Sequence, residues 1–509
     1  MSLFQSQRTI AGLLLLATLV MAQLSVPTGW TADAGRVTLL FYDREGLPLS
    51  HTRVRYLSNN GSADRDNDFL VDPSTLRVIA VKPLRVSGSN FAFDVADSPV
   101  ALAFNWPTEP QGYSLILLDN GGSGYSSPAT VNFTYQAARD VKLRLDAALA
   151  TRPDYQPSAK FRIAYDDAVG HMAAADASLD QSLRGKEGQL ALDRLAVAYD
   201  TLLFEHGPAT ARAGRGSLPP WLGLTIDRTA HYRKTLDLAA SLTQPYGWIR
   251  IVFDDGKKPS DYAKFIRYAK DKGLRVMGEP VDSFYDKRYT RARYRQRFVD
   301  FINAFPQVDA WEVGNEVNGG WLSPEIPGKI ADAVQEVREH APGKLAVLTL
   351  FWQLNTETAQ TSMFSWIDAN LPASIRRNID VVLVSLYQEQ APMGVFFDRM
   401  MLALRREFPL QKIGLGELGY WIPGQQFWWA HSKDDPNGAA KRATASHYYH
   451  AALDYSGSVG GGFWWTYIQD FPADPAMQSI LRNLRDNLQN SGSDPENPIF
   501  KARSRSRIF

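Results

Sequence analysis

Two glutamates in matching contexts give this sequence its clearest chemistry. Glu316 lies in Trp311-Glu312-Val313-Gly314-Asn315-Glu316-Val317-Asn318, where an apolar run breaks into a Gly-Asn-Glu turn. Glu417 lies in Lys412-Ile413-Gly414-Leu415-Gly416-Glu417-Leu418-Gly419, a second apolar run that ends with a glutamate among small residues. Each stretch reads as a strand presenting a carboxyl group at its end. Two such groups suggest a paired-carboxylate site, in which one acts as an acid while the other attacks or takes a proton.

The elements that must position the pair follow from the pattern after Pro220. Strand-like runs recur at Leu222 to Ile226, Trp248 to Phe253, Leu274 to Met277, Ala310 to Gly314, Leu345 to Leu350, Val381 to Leu386, Ile413 to Leu415 and Gly461 to Trp465. Amphipathic segments alternate with them: Tyr262, Phe265, Ile266 and Ala269 share one helical face, as do Tyr294, Phe298, Phe301, Ile302 and Phe305, and Ile330, Val334 and Val337. Eight strand-helix units predict an α/β chain with a C-terminal (β/α)8 TIM barrel over 221–490, whose working residues sit at the C-terminal strand ends. On this count Glu316 ends strand 4 and Glu417 ends strand 7.

Upstream, short strands with turn signals such as Asn59-Asn60-Gly61 and Asn120-Gly121-Gly122 predict a β-sandwich-like domain over 30–135. It reads as either a carbohydrate-binding module or a buttress, with Trp106, Tyr113 and Tyr125 available to stack on sugar or to fill the core. A helical connector is expected over 136–206, where Leu195, Tyr199, Leu202 and Leu203 repeat at helical spacing. Gly207-Pro208 through Pro219-Pro220 reads as a linker.

The first 22 residues have the pattern of an export signal. Arg8 supplies charge, Ile10 to Val20 a short apolar core, and Val20-Met21-Ala22 the cleavage site. With no cysteine in 509 residues, a periplasmic or secreted protein is expected, without an integral membrane span after cleavage. The tail 491–509, with Lys501, Arg503, Arg505 and Arg507 among Ser, Pro and Asn, is expected to be disordered. A net charge of +1 gives no field for nucleic acid, and a 45% hydrophobic content can fill a large core. The 13 tryptophans and 21 tyrosines suit sugar faces as well as cores.

Gly-Asn-Glu ending the fourth strand and a glutamate ending the seventh resemble the clan A glycoside hydrolases. Gly-Asn-Glu followed by Val317-Asn318 is most similar to the β-xylosidase and iduronidase family and its exopolysaccharide-cleaving relatives, which usually carry proline where Val317 stands. The resemblance implies a retaining glycosidase without cofactor, with Glu316 as acid/base and Glu417 as nucleophile. It further implies that Arg250, in Ile249-Arg250-Ile251, contacts the nucleophile, and that Tyr387, in Ser385-Leu386-Tyr387, hydrogen-bonds it. Asn315 would hold the sugar's 2-hydroxyl, and Trp465 or its neighbour Trp464 would floor the sugar site.

The chemistry supports these residue types independently. Retention needs carboxyl groups about 5 to 5.5 Å apart, one protonated and one ionised. An arginine beside Glu417 favours its ionised form. Loop aromatics Trp321, Trp352, Tyr420, Trp421, Phe427, Trp428, Trp429 and Trp464 to Tyr467 predict an open groove and an endo-acting enzyme on an extracellular or periplasmic polysaccharide. The alternatives are a non-catalytic polysaccharide-binding or assembly protein, and a transglycosylase using the same site. Glu312 reads as a buried structural carboxylate paired with a basic residue. Glu279 and Asp282 read either as cleft residues or as a solvated loop. His447 and His450 lack further ligands for a metal, and Gly460-Gly461-Gly462 leads into a strand, so it is no phosphate cradle.

Overall fold

The computed structural model describes residues 35–58, 68–95, 97–214, 218–354, 358–388, 391–420 and 438–490. The expected export signal, residues 215–217 of the expected linker, the aromatics Trp421, Phe427, Trp428 and Trp429, and the tail lie outside them.

The chain begins with β1 (Gly35–Leu40), α1 (His51–Ser58), β2 (Asp68–Val71), β3 (Val78–Val81), β4 (Arg85–Ser87), β5 (Asn90–Val95), β6 (Ala101–Thr108), β7 (Gly112–Leu118) and β8 (Ala129–Asn132). These strands form two four-stranded sheets, ordered β4-β5-β1-β8 and β3-β2-β6-β7. Phe41 joins them, lying against Phe91 of one sheet and Phe104 and Trp106 of the other and stacking on Phe133 at 4.7 Å. Trp106, Tyr113 and Tyr125 are 1%, 9% and 5% exposed, so all three are core and none offers a face to sugar. Their aromatic content served packing, which composition alone does not distinguish from binding.

Three helices follow: α2 (Phe133–Ala150), α3 (Ala159–Ala177) and α4 (Gln181–Arg212). The barrel then runs β9 (Trp221–Ile226), α5 (Tyr232–Thr243), β10 (Gly247–Val252), α6 (Ala263–Asp271), β11 (Arg275–Glu279), α7 (Arg291–Ala304), β12 (Ala310–Gly314), α8 (Ile326–His340) and β13 (Leu345–Phe351). It continues with α9 (Met363–Asn370), α10 (Ala373–Arg376), β14 (Val381–Tyr387), α11 (Phe397–Glu407), β15 (Lys412–Gly419), α12 (Ala439–Ala451), β16 (Ser458–Trp464), α13 (Tyr467–Asp470) and α14 (Pro475–Gln489). Strands β9 to β16 close into an eight-stranded parallel barrel, and the helical faces read from the sequence are buried against it. Among the described residues no helix is long and apolar enough to cross a membrane.

The linker expected at 207–220 is corrected by α4, which runs through Pro208 to Arg212. A proline inside a helix removes one backbone bond, yet tertiary contact holds this one. A Cβ on Gly207 would lie 2.1 Å from the His450 carbonyl oxygen of α12, and the neighbouring Phe204 stacks on His450 at 4.2 Å. The Gly-Pro pair is therefore a close helix-helix contact instead of a break.

The same helices fasten the barrel through charge. Arg152, 7% exposed, reaches Asp454 at 2.7 Å and Asp398 at 3.0 Å. Tyr199 donates to Asp398 at 2.9 Å. Removing one partner of such a buried network strands the opposite charges, typically at about 3–5 kcal/mol. Arg152→Met should accordingly lower stability by about that amount in denaturant titration, and a loss under about 1 kcal/mol would show the network to be solvent-screened.

Candidate active site

The site is one layer of the barrel's inward-facing residues. Alternation along a strand sends every second side chain inward, and Trp221, Trp248, Met277, Ala310, Val347, Val381, Leu383, Val459 and Phe463 form one apolar cluster. Trp221 and Trp248 stack there at 4.1 Å. Two residues further along five of the strands the character changes. Trp248 gives way to Arg250, Met277 to Glu279, Ala310 to Glu312, Val347 to Thr349 and Leu383 to Ser385. An apolar plug thus supports a charged layer.

Bulges aim the two strands that carry the pair. Between β14 and β15, Val384 pairs with Leu415 but Leu386 pairs with Leu418, so β15 holds an extra residue. Leu415 and Leu418 both pack in the outer core, which leaves Glu417 free to face inward. A register shift also falls between Glu312 and Gly314 of β12. Past it, Glu316 takes a left-handed backbone with φ of 47°, a conformation that costs a side-chain-bearing residue roughly 1 kcal/mol. The turn is held by Gly319 N–H donating to Glu316 O at 2.8 Å and Val317 N–H to Thr349 O at 3.2 Å. Asn318, fully buried, clamps it by exchanging hydrogen bonds with Phe351 at 2.7 and 2.9 Å. On β16, a Cβ at Gly461 would meet Leu415 O at 2.1 Å, so the glycine run lets that strand pass close to β15.

Arg250, with no exposed surface, is the centre of the layer. Its guanidinium lies 2.7 Å from Glu312, 2.8 Å from Glu279 and 2.9 Å from Glu417. Only the Nε contact to Glu312 is an aligned hydrogen bond. The Nη contacts are close ion pairs without linear N–H geometry. Glu312 also accepts from the Thr349 hydroxyl, as expected for a structural carboxylate. One positive charge cannot balance three buried carboxylates. Burial, opposed by Arg250 and reinforced by Glu312, Asp282 and Glu417, pushes Glu279 well above the usual carboxylate range.

Glu417 receives the remaining donors. Tyr387 O–H donates to Oε2 at 2.6 Å and Asn315 Nδ2 to Oε1 at 3.2 Å. Burial keeps the Tyr387 phenol protonated. Asn315 Nδ2 also donates to Glu279 at 2.9 Å, while its Oδ1 is buried with no hydrogen-bond partner among the described residues. Glu316, 8% exposed, has no cation partner there, and its Oε1 is likewise unsatisfied. Burial first, then the charges of Glu417 and Asp282, push Glu316 well above the usual range. Asp282 sits partly exposed beside the pair, pushed up to about 6 by burial and by Glu417. The sequence left Glu279 and Asp282 undecided between cleft and solvated loop. Ser385, which accepts from the Glu417 backbone N–H at 3.3 Å, carried no signal.

The two tryptophans of β16 separate by alternation. Trp464 is fully buried on the outside of the strand, its indole donating to Asp470 at 2.7 Å. Trp465, half-buried, brings its ring to 5.8 Å from the Arg250 guanidinium. Trp352, Tyr420 and Tyr467 are also buried, which removes them from the expected groove. At the rim Trp321 is 40% exposed and Phe284, not anticipated from sequence, is 68% exposed. His447 and His450 are buried, which lowers them to about 3 and about 4, and His450 Nδ1 lies 2.7 Å from the Ser446 carbonyl.

Glu316 has a stability signature. A carboxyl group whose folded pKa lies above its unfolded value costs stability once pH rises past the unfolded value of 4.5, because the fold must hold a proton the unfolded chain has lost. Glu316→Gln should therefore raise Tm at pH 7 by a few °C, the gain shrinking toward zero as pH falls below 4.5. An unchanged or lowered Tm at pH 7 would contradict the burial argument.

No family model matches this sequence, and no curated protein matches it. Among solved structures it is similar to the GH53 catalytic domain of Ignisphaera aggregans, with 17% identity over 48% of this chain and 83% of that chain and a TM-score of 0.37. It is also similar to native xylanase 10B from Thermotoga maritima (13% identity, 52% and 95% covered, TM-score 0.39). A third is the Thermobacillus composti GH10 xylanase (14% identity, 52% and 95% covered, TM-score 0.33).

Proposed function

We propose that this protein is a retaining glycoside hydrolase of an extracellular or periplasmic polysaccharide, with Glu417 as nucleophile and Glu316 as acid/base. The observation that supports this best is the contrast between the two carboxyl groups. Glu417 sits among Arg250, Tyr387 and Asn315, whereas Glu316 has no ion-pair partner among the described residues, and burial with the charges of Glu417 and Asp282 outweighs the Ser385 hydrogen bond and Arg250 to raise its pKa. In the first step Glu417 forms a bond to the anomeric carbon as the glycosidic C–O bond breaks, and Glu316 gives its proton to the leaving oxygen. In the second, Glu316 takes a proton from water, whose oxygen displaces Glu417 and restores the anomeric configuration.

Asn315 Oδ1, without a hydrogen-bond partner among the described residues, accepts the sugar's 2-hydroxyl in this reading. The half-buried Trp465 floors the sugar, and Trp464 is assigned to packing. The carboxyl groups around one arginine favour a neutral or basic sugar at the cut, because a uronate would face unbalanced negative charge. Trp321 follows strand 4 and Trp465 strand 8, on opposite sides of the barrel, which fits subsites on both sides of the cut and an endo-acting enzyme. The leader pattern of the first 22 residues supports a reaction in the periplasm or outside the cell.

Purified protein screened against bacterial exopolysaccharides and aryl glycosides, read by product mass and viscosity, tests this. Mixed oligosaccharides with an early fall in viscosity are expected. Binding without cleavage of any substrate would replace the reading with a non-catalytic one, and products longer than the substrate would identify transglycosylation. The rate should also fall as pH rises through the elevated Glu316 value, since the acid is then lost. That alkaline limb should fade on aryl glycosides with good leaving groups, which need little protonation. An identical limb on both substrate types would assign it to another group.

A further inference from the structure

A second cavity, of about 850 Å³, opens where the N-terminal sheets, α2 and α11 meet, and none of the carboxyl groups of the barrel mouth line it. The volume is within the roughly 300–1,000 Å³ of small-molecule sites. Its walls carry several arginines, and their partners differ. Arg144 is answered by Asp119 at 3.0 Å, and Arg152 by Asp398 and Asp454. Arg405 spends its fork on the carbonyls of Phe408, Pro409 and Gln411.

Arg399 and Arg406 are different. They stand seven positions apart on one face of α11, and neither has a carboxylate ion pair among the described residues. Each gives one N–H to a backbone carbonyl, Arg399 to Pro73 and Arg406 to Ser74 at 3.1 Å. Arg399 Nε is buried with no hydrogen-bond partner among the described residues. Burial and the nearby charges of Arg406 and Arg144, opposed in part by Asp119 and Asp398, lower the proton affinity of the Arg399 guanidinium. Asp119, Asp398 and Asp454 on the same walls are engaged by Arg144 and Arg152, and a partly desolvated cation without an ion-pair partner of its own is stabilised when an anion joins it. Leu143 and Leu402, 52% and 43% exposed, face the same cavity.

We propose that this cavity binds an oxyanion, a carboxylate or a phosphate, carried on a body with an apolar face. The planar fork of Arg399 suits the two oxygens of either group, Arg406 adds long-range attraction, and the leucines take the apolar face. Because Pro73, Ser74 and Gly121 contribute from the N-terminal sheets and Leu402 from α11, the ligand would bridge these sheets to the barrel. This reading is independent of glycosidase activity.

Isothermal titration of the full-length protein in low salt tests it, using trigalacturonate, octyl phosphate and inorganic phosphate, with maltotriose and octyl glucoside as neutral controls. Trigalacturonate or octyl phosphate should bind while the neutral compounds do not, and which of the two binds identifies a glycan or a lipid-like source. Arg399→Gln and Arg406→Gln, each checked for an unchanged circular dichroism spectrum, should each weaken binding by roughly tenfold. No heat from any anionic probe at millimolar concentration would overturn the proposal. So would binding that survives both substitutions, or binding of inorganic phosphate alone, which would mark an adventitious ion only.

Discussion

Glu417→Gln should lower kcat by roughly 10⁴-fold or more while substrate still binds, since an activated nucleophile removed from its supporting set costs effects of that order. The amide keeps the volume of the side chain, so Tyr387 and Arg250 retain a neighbour at the same place. It also removes one of the three carboxyl groups that crowd Arg250, so Tm should hold or rise. That pairing of lost turnover with kept stability distinguishes a missing nucleophile from a damaged fold. Activity within tenfold of wild type would take Glu417 out of the nucleophile role.

Arg250→Met should damage both fold and rate. The substitution leaves Glu279, Glu312 and Glu417 in a layer closed to water without their counter-charge. Stranding one partner of a buried pair costs about 3–5 kcal/mol, and three carboxyl groups share this cation. Turnover should fall with it, because Arg250 both fixes Glu417 and supports Trp465. Adding Glu279→Gln and Glu312→Gln to the same chain should restore most of the stability but not the rate, a coupling expected of residues in one network. Lysine is no substitute, since a single ammonium cannot span the three directions that the guanidinium serves. A stable, active Arg250→Met protein would show the hub to be dispensable.

Much of this was legible in the chain because hydrophobic period records which face is buried. The eight barrel strands, the buried faces of α6, α7 and α8, and the pairing of Glu312 with a basic residue all follow from local pattern. The neighbourhood of Glu417 with Arg250 and Tyr387 was anticipated through the resemblance of its motifs. What stayed hidden depends on contacts distant in sequence. Strict alternation from Leu415 would turn Glu417 outward, and only the bulge against β14 explains its direction. Gly207-Pro208 reads as a break until α12 is placed beside it. The tryptophan pair of β16 could not be resolved without knowing which residue faces the barrel, and Trp352 and Tyr420 were exposed by motif but buried by packing. Ser385 and Thr349 carried no signal, since the Thr349 hydroxyl matters here through the Glu312 carboxyl group and the Ser385 hydroxyl through the Glu417 backbone N–H, both distant in sequence.

The central claim is a covalent glycosyl intermediate on Glu417. It is tested most directly by incubating the purified protein with a panel of 2-deoxy-2-fluoroglycosyl fluorides and reading intact mass, followed by peptide mapping. The fluorine slows the second step, so a matching sugar should add one glycosyl unit per chain, located on Glu417 and absent from Glu417→Gln. Turnover of the parent glycoside with no adduct at Glu417, or an adduct on another carboxyl group, would contradict the account.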